Sequence, residues 1–174
     1  MKDLLFIHIP RTAGRSISEG GVNVINLGHR FADDVITQGY YSFTFVRNPY
    51  DRFQSSYYFY KNIYKGVRSI GKEINKYNGF EDFTLNFDNF KYKDDMQFVP
   101  QYKFINDDLD YIGRFEYLES DWKNILHESG HEFKPLPHIN NSDHLAWPLS
   151  YTNEMKKVVY NLFEQDFNEF KYHK

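Results

Sequence analysis

The stretch that most constrains the fold is the beginning: Leu4-Leu5-Phe6-Ile7-His8-Ile9, then Pro10-Arg11-Thr12-Ala13-Gly14-Arg15-Ser16-Ile17. A short, almost unbroken apolar run fits a strand of a parallel sheet, which is covered on both faces and so loses polar alternation. Pro10 ends the run, small and basic residues make a loop, and Ile17 re-enters an apolar pattern as a helix start. Thr12 and Ser16 are expected to cap that helix, whose first free N–H groups point back at the loop. Arg11 and Arg15 flank Gly14, whose missing side chain lets a ligand approach the backbone, so the loop has the outline of an anion site.

The same strand–loop–helix plan recurs. Tyr41-Ser42-Phe43-Thr44-Phe45-Val46 is rich in aromatic and β-branched residues and reads as a strand. Pro49 disfavours a helical Asn48 and suits a first helical turn, after which Phe53, Tyr57, Tyr60 and Tyr64 fall at helical spacing. Between the two units, residues 22–27 read as a short strand, Gly28-His29-Arg30 as a turn, and 31–36 as a helix with Phe31 and Val35 on one face. Residues 65–89 show no clear period and read as a surface excursion with short helical pieces. Residues 94–104 read as a helix broken around Pro100, and 110–116 as a strand. A helix from about Ser120 to Gly130 follows, then a turn-rich stretch over 135–148. The last helix carries Met155, Val158, Val159, Leu162 and Phe163 as one stripe after Thr152 or Asn153 as a cap. Alternating strands and helices define an α/β fold, three-layered and P-loop-like, with a central, mainly parallel sheet flanked by helices.

A length of 174 residues fits a single domain over 1–174. The net charge of −3 argues against a general nucleic-acid binder. Residues 1–70 carry nine Lys and Arg against five Asp and Glu, and the remainder twelve against nineteen, so anion chemistry belongs to the first part. With no cysteine, disulfides, thiolate ligands and a Cys nucleophile are excluded. No apolar run approaches the roughly 20 residues of a membrane span, which makes a cytoplasmic location and no membrane partner the expectation. His131, His138 and His144 have irregular spacing and no completing carboxylate pattern, so no metal is expected. The first loop also lacks the Lys and second Gly of a triphosphate-binding loop.

Taken together, the two units are far more specific. His8 to Ile17 resembles the 5′-phosphosulfate loop of the carbohydrate sulfotransferases of the heparan and chondroitin O-sulfotransferase type (sulfotransferase family 2), usually H-I-P-K-T-A-G-T-S. Phe43 to Tyr57 resembles that family's 3′-phosphate segment, F-x-F-V-R-N-P-x-D-R-x-x-S-x-Y. Weaker similarity runs through Pro100-Gln101, residues 112–116 and residues 136–142 to the final helix. The fold and roles that follow are what this resemblance implies.

The implied donor is 3′-phosphoadenosine 5′-phosphosulfate (PAPS), and the product adenosine 3′,5′-bisphosphate. Backbone N–H groups of Thr12, Ala13, Gly14, Arg15 and Ser16, with the Ser16 or Thr12 hydroxyl, would cradle the phosphosulfate. Arg11 takes the position of the family's lysine, which neutralises charge as the sulfuryl group leaves. Arg15 replaces a threonine and either adds a phosphate contact or faces solvent. Arg47 and Ser55 match the 3′-phosphate ligands, while Asp51 and Arg52 are expected to form local pairs holding the loop. His29, in a segment resembling H-x-x-A of bacterial members, is the candidate base, and His8 is expected to support the loop by packing. Asn140, Asn141 and Ser142 lie where the family closes over the nucleotide. The acceptor implied is a hydroxyl, on a glycan, in a bacterial or viral cytosolic enzyme or an excised catalytic domain. Two other classes stay open: a kinase-like phosphotransferase, with Glu116 as its tempting metal carboxylate, and a catalytically silent nucleotide-binding module.

Overall fold

The computed structural model describes residues 1–63, 68–137 and 146–174. The backbone forms four strands, β1 (Leu4–Phe6), β2 (Val24–Asn26), β3 (Tyr41–Val46) and β4 (Tyr111–Arg114). Eight α-helices accompany them among the described residues: α1 (Gly14–Ser18), α2 (Pro49–Ile63), α3 (Ser69–Ile74), α4 (Gly79–Leu85), α5 (Leu118–Ser129), α6 (Trp147–Ser150), α7 (Asn153–Leu162) and α8 (Glu164–Glu169). The result is an α/β fold with an all-parallel sheet and flanking helices. The chain divides into two compact units, Met1–Arg47 with Gln101–Asn141, and Asn48–Pro100 with Ser142–Lys174.

The first unit holds the sheet, in the order β2-β1-β3-β4. Its register pairs Leu4 with Val24 on one side and with Tyr41 on the other, and Phe43 with Tyr111 across to β4. All six residues of β3 are buried, as expected of a central strand. Leu4, Phe6, Tyr41, Phe43 and Phe45 form one core with Ile17 of α1 and with Trp122, Ile125 and Leu126 of α5. Spacings of three and four residues put these α5 side chains on one face. Gly130, at φ 82°, ends the helix in the left-handed conformation glycine adopts freely. The buried Trp122 donates its indole N–H to the Lys134 carbonyl at 2.9 Å, so its polar atom is not stranded in the core. From β1 the chain moves to β2 on one side and then to β3 on the other, so the carboxyl ends of β1 and β3 face a topological switch point, where ligands of open α/β sheets bind.

The second unit is helical, and its core is aromatic: Tyr50, Phe53, Tyr57, Phe80, Phe83, Phe87, Phe90, Phe98, Phe163 and Phe167 are buried together with Met155 and Val159. Asn48 caps α2 by accepting from the Tyr50 N–H at 3.0 Å, with Pro49 in the first turn. Thr152 is the cap of α7, accepting from the Met155 N–H at 3.3 Å. Tyr64 lies outside the described residues.

Several expectations are corrected. The described part of residues 65–89 is no surface excursion: α3, α4 and a 3-10 turn at Phe87–Asn89 supply buried phenylalanines, with the Phe53 ring 5.7 Å from Phe83 and 5.1 Å from Phe87. A single period is missing because each short piece restarts the phase, notably at Gly79 with φ 91°. Residues 31–36 form one 3-10 turn, Ala32–Asp34, rather than an α-helix, with Val35 already extended and the Phe31 ring 4.9 Å from Phe104. The stretch before Pro100 is a series of turns, and the 3-10 helix Gln101–Phe104 follows it. A further helix, α8, succeeds the apolar stripe of α7.

In the first unit, Gly113 on β4 lies under the Phe45 ring, where an added Cβ would come within 2.5 Å of a ring carbon. Gly113→Ala is therefore expected to destabilise by about 1–3 kcal/mol through overpacking. Urea unfolding with an unchanged midpoint would contradict this placement.

Candidate functional site

Three segments of the first unit build the site: residues 7–13 after β1, residues 27–30 after β2, and Arg47 after β3. The first leaves the sheet under tight control. Ile7 still donates its N–H to the Phe43 carbonyl at 2.9 Å, and its own carbonyl accepts from the buried Thr44 hydroxyl at 2.7 Å. Beyond it, Arg11 and Ala13 adopt φ 69° and φ 67°. Neither is glycine, so the loop stores backbone strain of about 1–2 kcal/mol per residue.

The capping expectation is overturned. Ala13 occupies the N-cap position of the five-residue α1, in the left-handed region and without a side-chain cap. The Thr12 hydroxyl donates inward to the Ile9 carbonyl at 2.8 Å, and Thr12 is fully buried. Ser16 lies inside the helix, and its hydroxyl makes no hydrogen bond among the described residues. Arg15 is exposed and pairs with Glu19 one turn on, at 3.4 Å. Gly14 has a further reason to be glycine: a Cβ there would coincide with the His8 imidazole. The space freed by the missing side chain is filled by His8.

His8 is the neighbour that loop and base candidate share. Its ring stacks on Phe6 at 5.2 Å and lies 4.3 Å from the His29 ring. Its carbonyl accepts from His29 Nδ1 at 2.9 Å. Since a carbonyl only accepts, Nδ1 carries the proton, and neutral His29 keeps its lone pair on Nε2. Burial, reinforced by His29 and Arg11, pushes the His8 pKa down to about 3, so its ring stays uncharged.

Arg47 binds the first segment to the third. Its Nη1 donates to the Arg11 carbonyl at 3.0 Å, and its guanidinium carbon sits 4.0 Å from the centroid of the Phe115 ring, a cation–π contact. The Gln101 side chain holds its backbone on both sides, Oε1 accepting from the Arg47 N–H and Nε2 donating to the Arg47 carbonyl, each at 2.9 Å. In the sequence Gln101 stood out only as part of the weaker family similarity at Pro100-Gln101, with no role attached. Glu116 lies in the 3-10 turn Phe115–Tyr117 that follows β4.

Ser55 belongs to the second unit, on the second turn of α2, and is buried there. In that unit Arg52 does not serve a merely local pairing. It is fully buried and donates to the Gln97 carbonyl at 3.2 Å and the Val99 carbonyl at 2.8 Å, which makes it a structural tie between α2 and a distant loop. His138, His144, Asn140, Asn141 and Ser142 lie outside the described residues. Among the described residues no three His, Asp or Glu side chains are grouped as a metal site, and no helix is long and apolar enough to cross a membrane.

A parallel sheet with a basic, strained loop at its switch point makes this edge the candidate site, and the comparisons specify the family. The Sulfotransferase family model matches residues 22–173, so this chain belongs to the sulfotransferase family, type 2, and is a transferase of the sulfuryl-transfer class. The match includes His29, Arg47, Ser55 and Gln101 and begins after the loop at 7–13. An uncharacterized protein of Archaeoglobus fulgidus is 35 % identical over 92 residues, covering 53 % of this chain and 69 % of that protein. No solved structure matches.

The neutral His8 has a consequence for stability. Between pH 6.5 and about 3 the unfolded chain holds a proton on His8 that the folded chain refuses, so this contribution is fully present above 6.5 and lost as pH falls through that window. His8→Asn removes it, and the variant is expected to lose less stability than the parent between pH 7 and 5, by on the order of 1 kcal/mol. Urea titrations at both pH values measure the difference; identical losses would contradict a His8 held neutral.

Proposed function

We propose that the chain is a PAPS-dependent sulfotransferase that transfers a sulfuryl group to a hydroxyl, on a glycan, by direct in-line displacement. The observation carrying this reading is the 3.0 Å hydrogen bond from Arg47 to the Arg11 carbonyl. It joins, within one unit, the two segments that resemble the family's 5′-phosphosulfate and 3′-phosphate motifs. The family match, over residues 22–173, runs through parts of both compact units, which supports reading them as one sulfotransferase domain.

In this mechanism the backbone N–H groups of residues 12–16 hold the phosphosulfate. With Thr12 turned to the Ile9 carbonyl, Ser16 is the hydroxyl that serves it. Arg47 takes the 3′-phosphate, a guanidinium matching its planar donor fork to phosphate oxygens. The resemblance assigns Ser55 to the same phosphate. His29 Nε2 accepts the proton of the acceptor hydroxyl as that oxygen bonds to sulfur. The bond from sulfur to the bridging oxygen breaks, and the pair it leaves on the 5′-phosphate of adenosine 3′,5′-bisphosphate is stabilised by Arg11. The guanidinium of Arg11 is charged at any working pH, so it serves as an electrostatic group and not as a proton donor. Arg15, paired with Glu19, is an auxiliary cation for the same phosphosulfate.

Calorimetric titration separates this donor from others. Adenosine 3′,5′-bisphosphate is expected to bind at least tenfold more tightly than AMP or ATP, and Arg47→Ala to erase that preference. Equal affinities for the three nucleotides in the parent protein would overturn the reading. His29→Ala is expected to keep bisphosphate affinity while transfer from labelled PAPS to a glycan panel falls by about 10²–10⁴. Undiminished transfer would place the base elsewhere.

A further inference from the structure

We propose that Gln101 is a positioning residue for the donor's 3′-phosphate, acting through Arg47; this rests on Arg47 being the 3′-phosphate ligand. Val46 is the last residue of β3 and pairs with Arg114, the last of β4. Arg47 follows, beyond the ladder, so its N–H and C=O have no strand to bond to, yet the residue is only 8 % exposed. Two buried, unpaired backbone groups at this point would be costly.

The primary amide of Gln101 takes the place of the missing strand. Its Oε1 accepts from the Arg47 N–H and its Nε2 donates to the Arg47 carbonyl, both at 2.9 Å, and the side chain is fully buried. A planar group with one acceptor and one donor face at this reach is specific to glutamine. Glutamate offers acceptors alone, methionine neither, and asparagine is a methylene shorter. With the backbone of Arg47 clasped, the Phe115 ring at 4.0 Å and the Arg11 carbonyl at 3.0 Å orient the guanidinium. The phosphate ligand is thereby held before any nucleotide arrives, and little ordering is left for binding to impose.

A structural residue and a positioning residue differ in which nucleotide is affected. Gln101→Met and the isosteric Gln101→Glu are expected to lower affinity for adenosine 3′,5′-bisphosphate at least tenfold while AMP affinity changes less than twofold. Ser129→Ala is the control, since Ser129 is buried in the same unit and bonds to the Ile125 carbonyl at 2.7 Å, away from Arg47. It is expected to lower the melting temperature and leave the nucleotide ratio unchanged. Folded Gln101 variants that keep the parent's ratio would overturn the proposal, as would loss of the ratio in Ser129→Ala. If neither Gln101 variant folds, the parent protein decides: the Gln101 side-chain amide resonances are expected to shift with the bisphosphate and not with AMP, and equal responses overturn it. A parent protein that does not prefer the bisphosphate to AMP refutes the ligand reading of Arg47 itself, a result distinct from the failure of Gln101 to matter.

Discussion

The first unit depends on the parallel pairing of β1 with β3. Because Leu4, Leu5 and Phe6 lie beside Tyr41, Ser42 and Phe43, two loops far apart in sequence leave the sheet from adjacent strand ends. The pairing is sealed at its exit, where the Ile7 N–H goes to Phe43 and the Thr44 hydroxyl goes to the Ile7 carbonyl. Parallel neighbours present their carboxyl ends on the same edge, so the basic loop and Arg47 meet there. The Arg47 contact to the Arg11 carbonyl follows from this arrangement, and the His8 contact to His29 follows in the same way from the parallel pairing of β1 with β2 on its other side.

How much of this was legible in the sequence varied with the kind of physics involved. Strands β1 and β3 were readable as short runs of apolar, aromatic and β-branched residues, and helices α5 and α7 because their apolar residues repeat at the helical period that buries one face. The turn at Pro49 was readable because proline restricts its own φ and the residue before it. The left-handed Arg11 and Ala13 were not, since neither residue type announces positive φ, and the strain is imposed by contacts made after folding. The core role of Phe80, Phe83 and Phe87 was hidden because the helices supplying them are too short to show a phase. Among candidate site residues, His29 and Arg47 were identifiable by motif. That Gly14 exists to admit the His8 ring, and that Thr12 turns inward, required three-dimensional neighbours.

The loop also explains how an arginine can stand where the related motif has lysine. Its main-chain carbonyl is an element of the scaffold, held by Arg47, a contact that does not depend on which side chain position 11 carries. Position 11 thus carries a backbone duty open to any residue that tolerates φ 69°, and in the proposed mechanism a second duty that requires a cation. His8 divides its duties in the same way, with its carbonyl setting the tautomer of His29 and its ring filling the space above Gly14.

In the proposed complex the loop after β1 and the residue after β3 hold opposite ends of one nucleotide. A crystal structure of the chain with adenosine 3′,5′-bisphosphate tests it most directly. The 5′-phosphate is expected on the backbone N–H groups of residues 12–16 and the 3′-phosphate on the Arg47 guanidinium, with His29 Nε2 left open to an acceptor. A nucleotide bound with neither phosphate on these groups would contradict it.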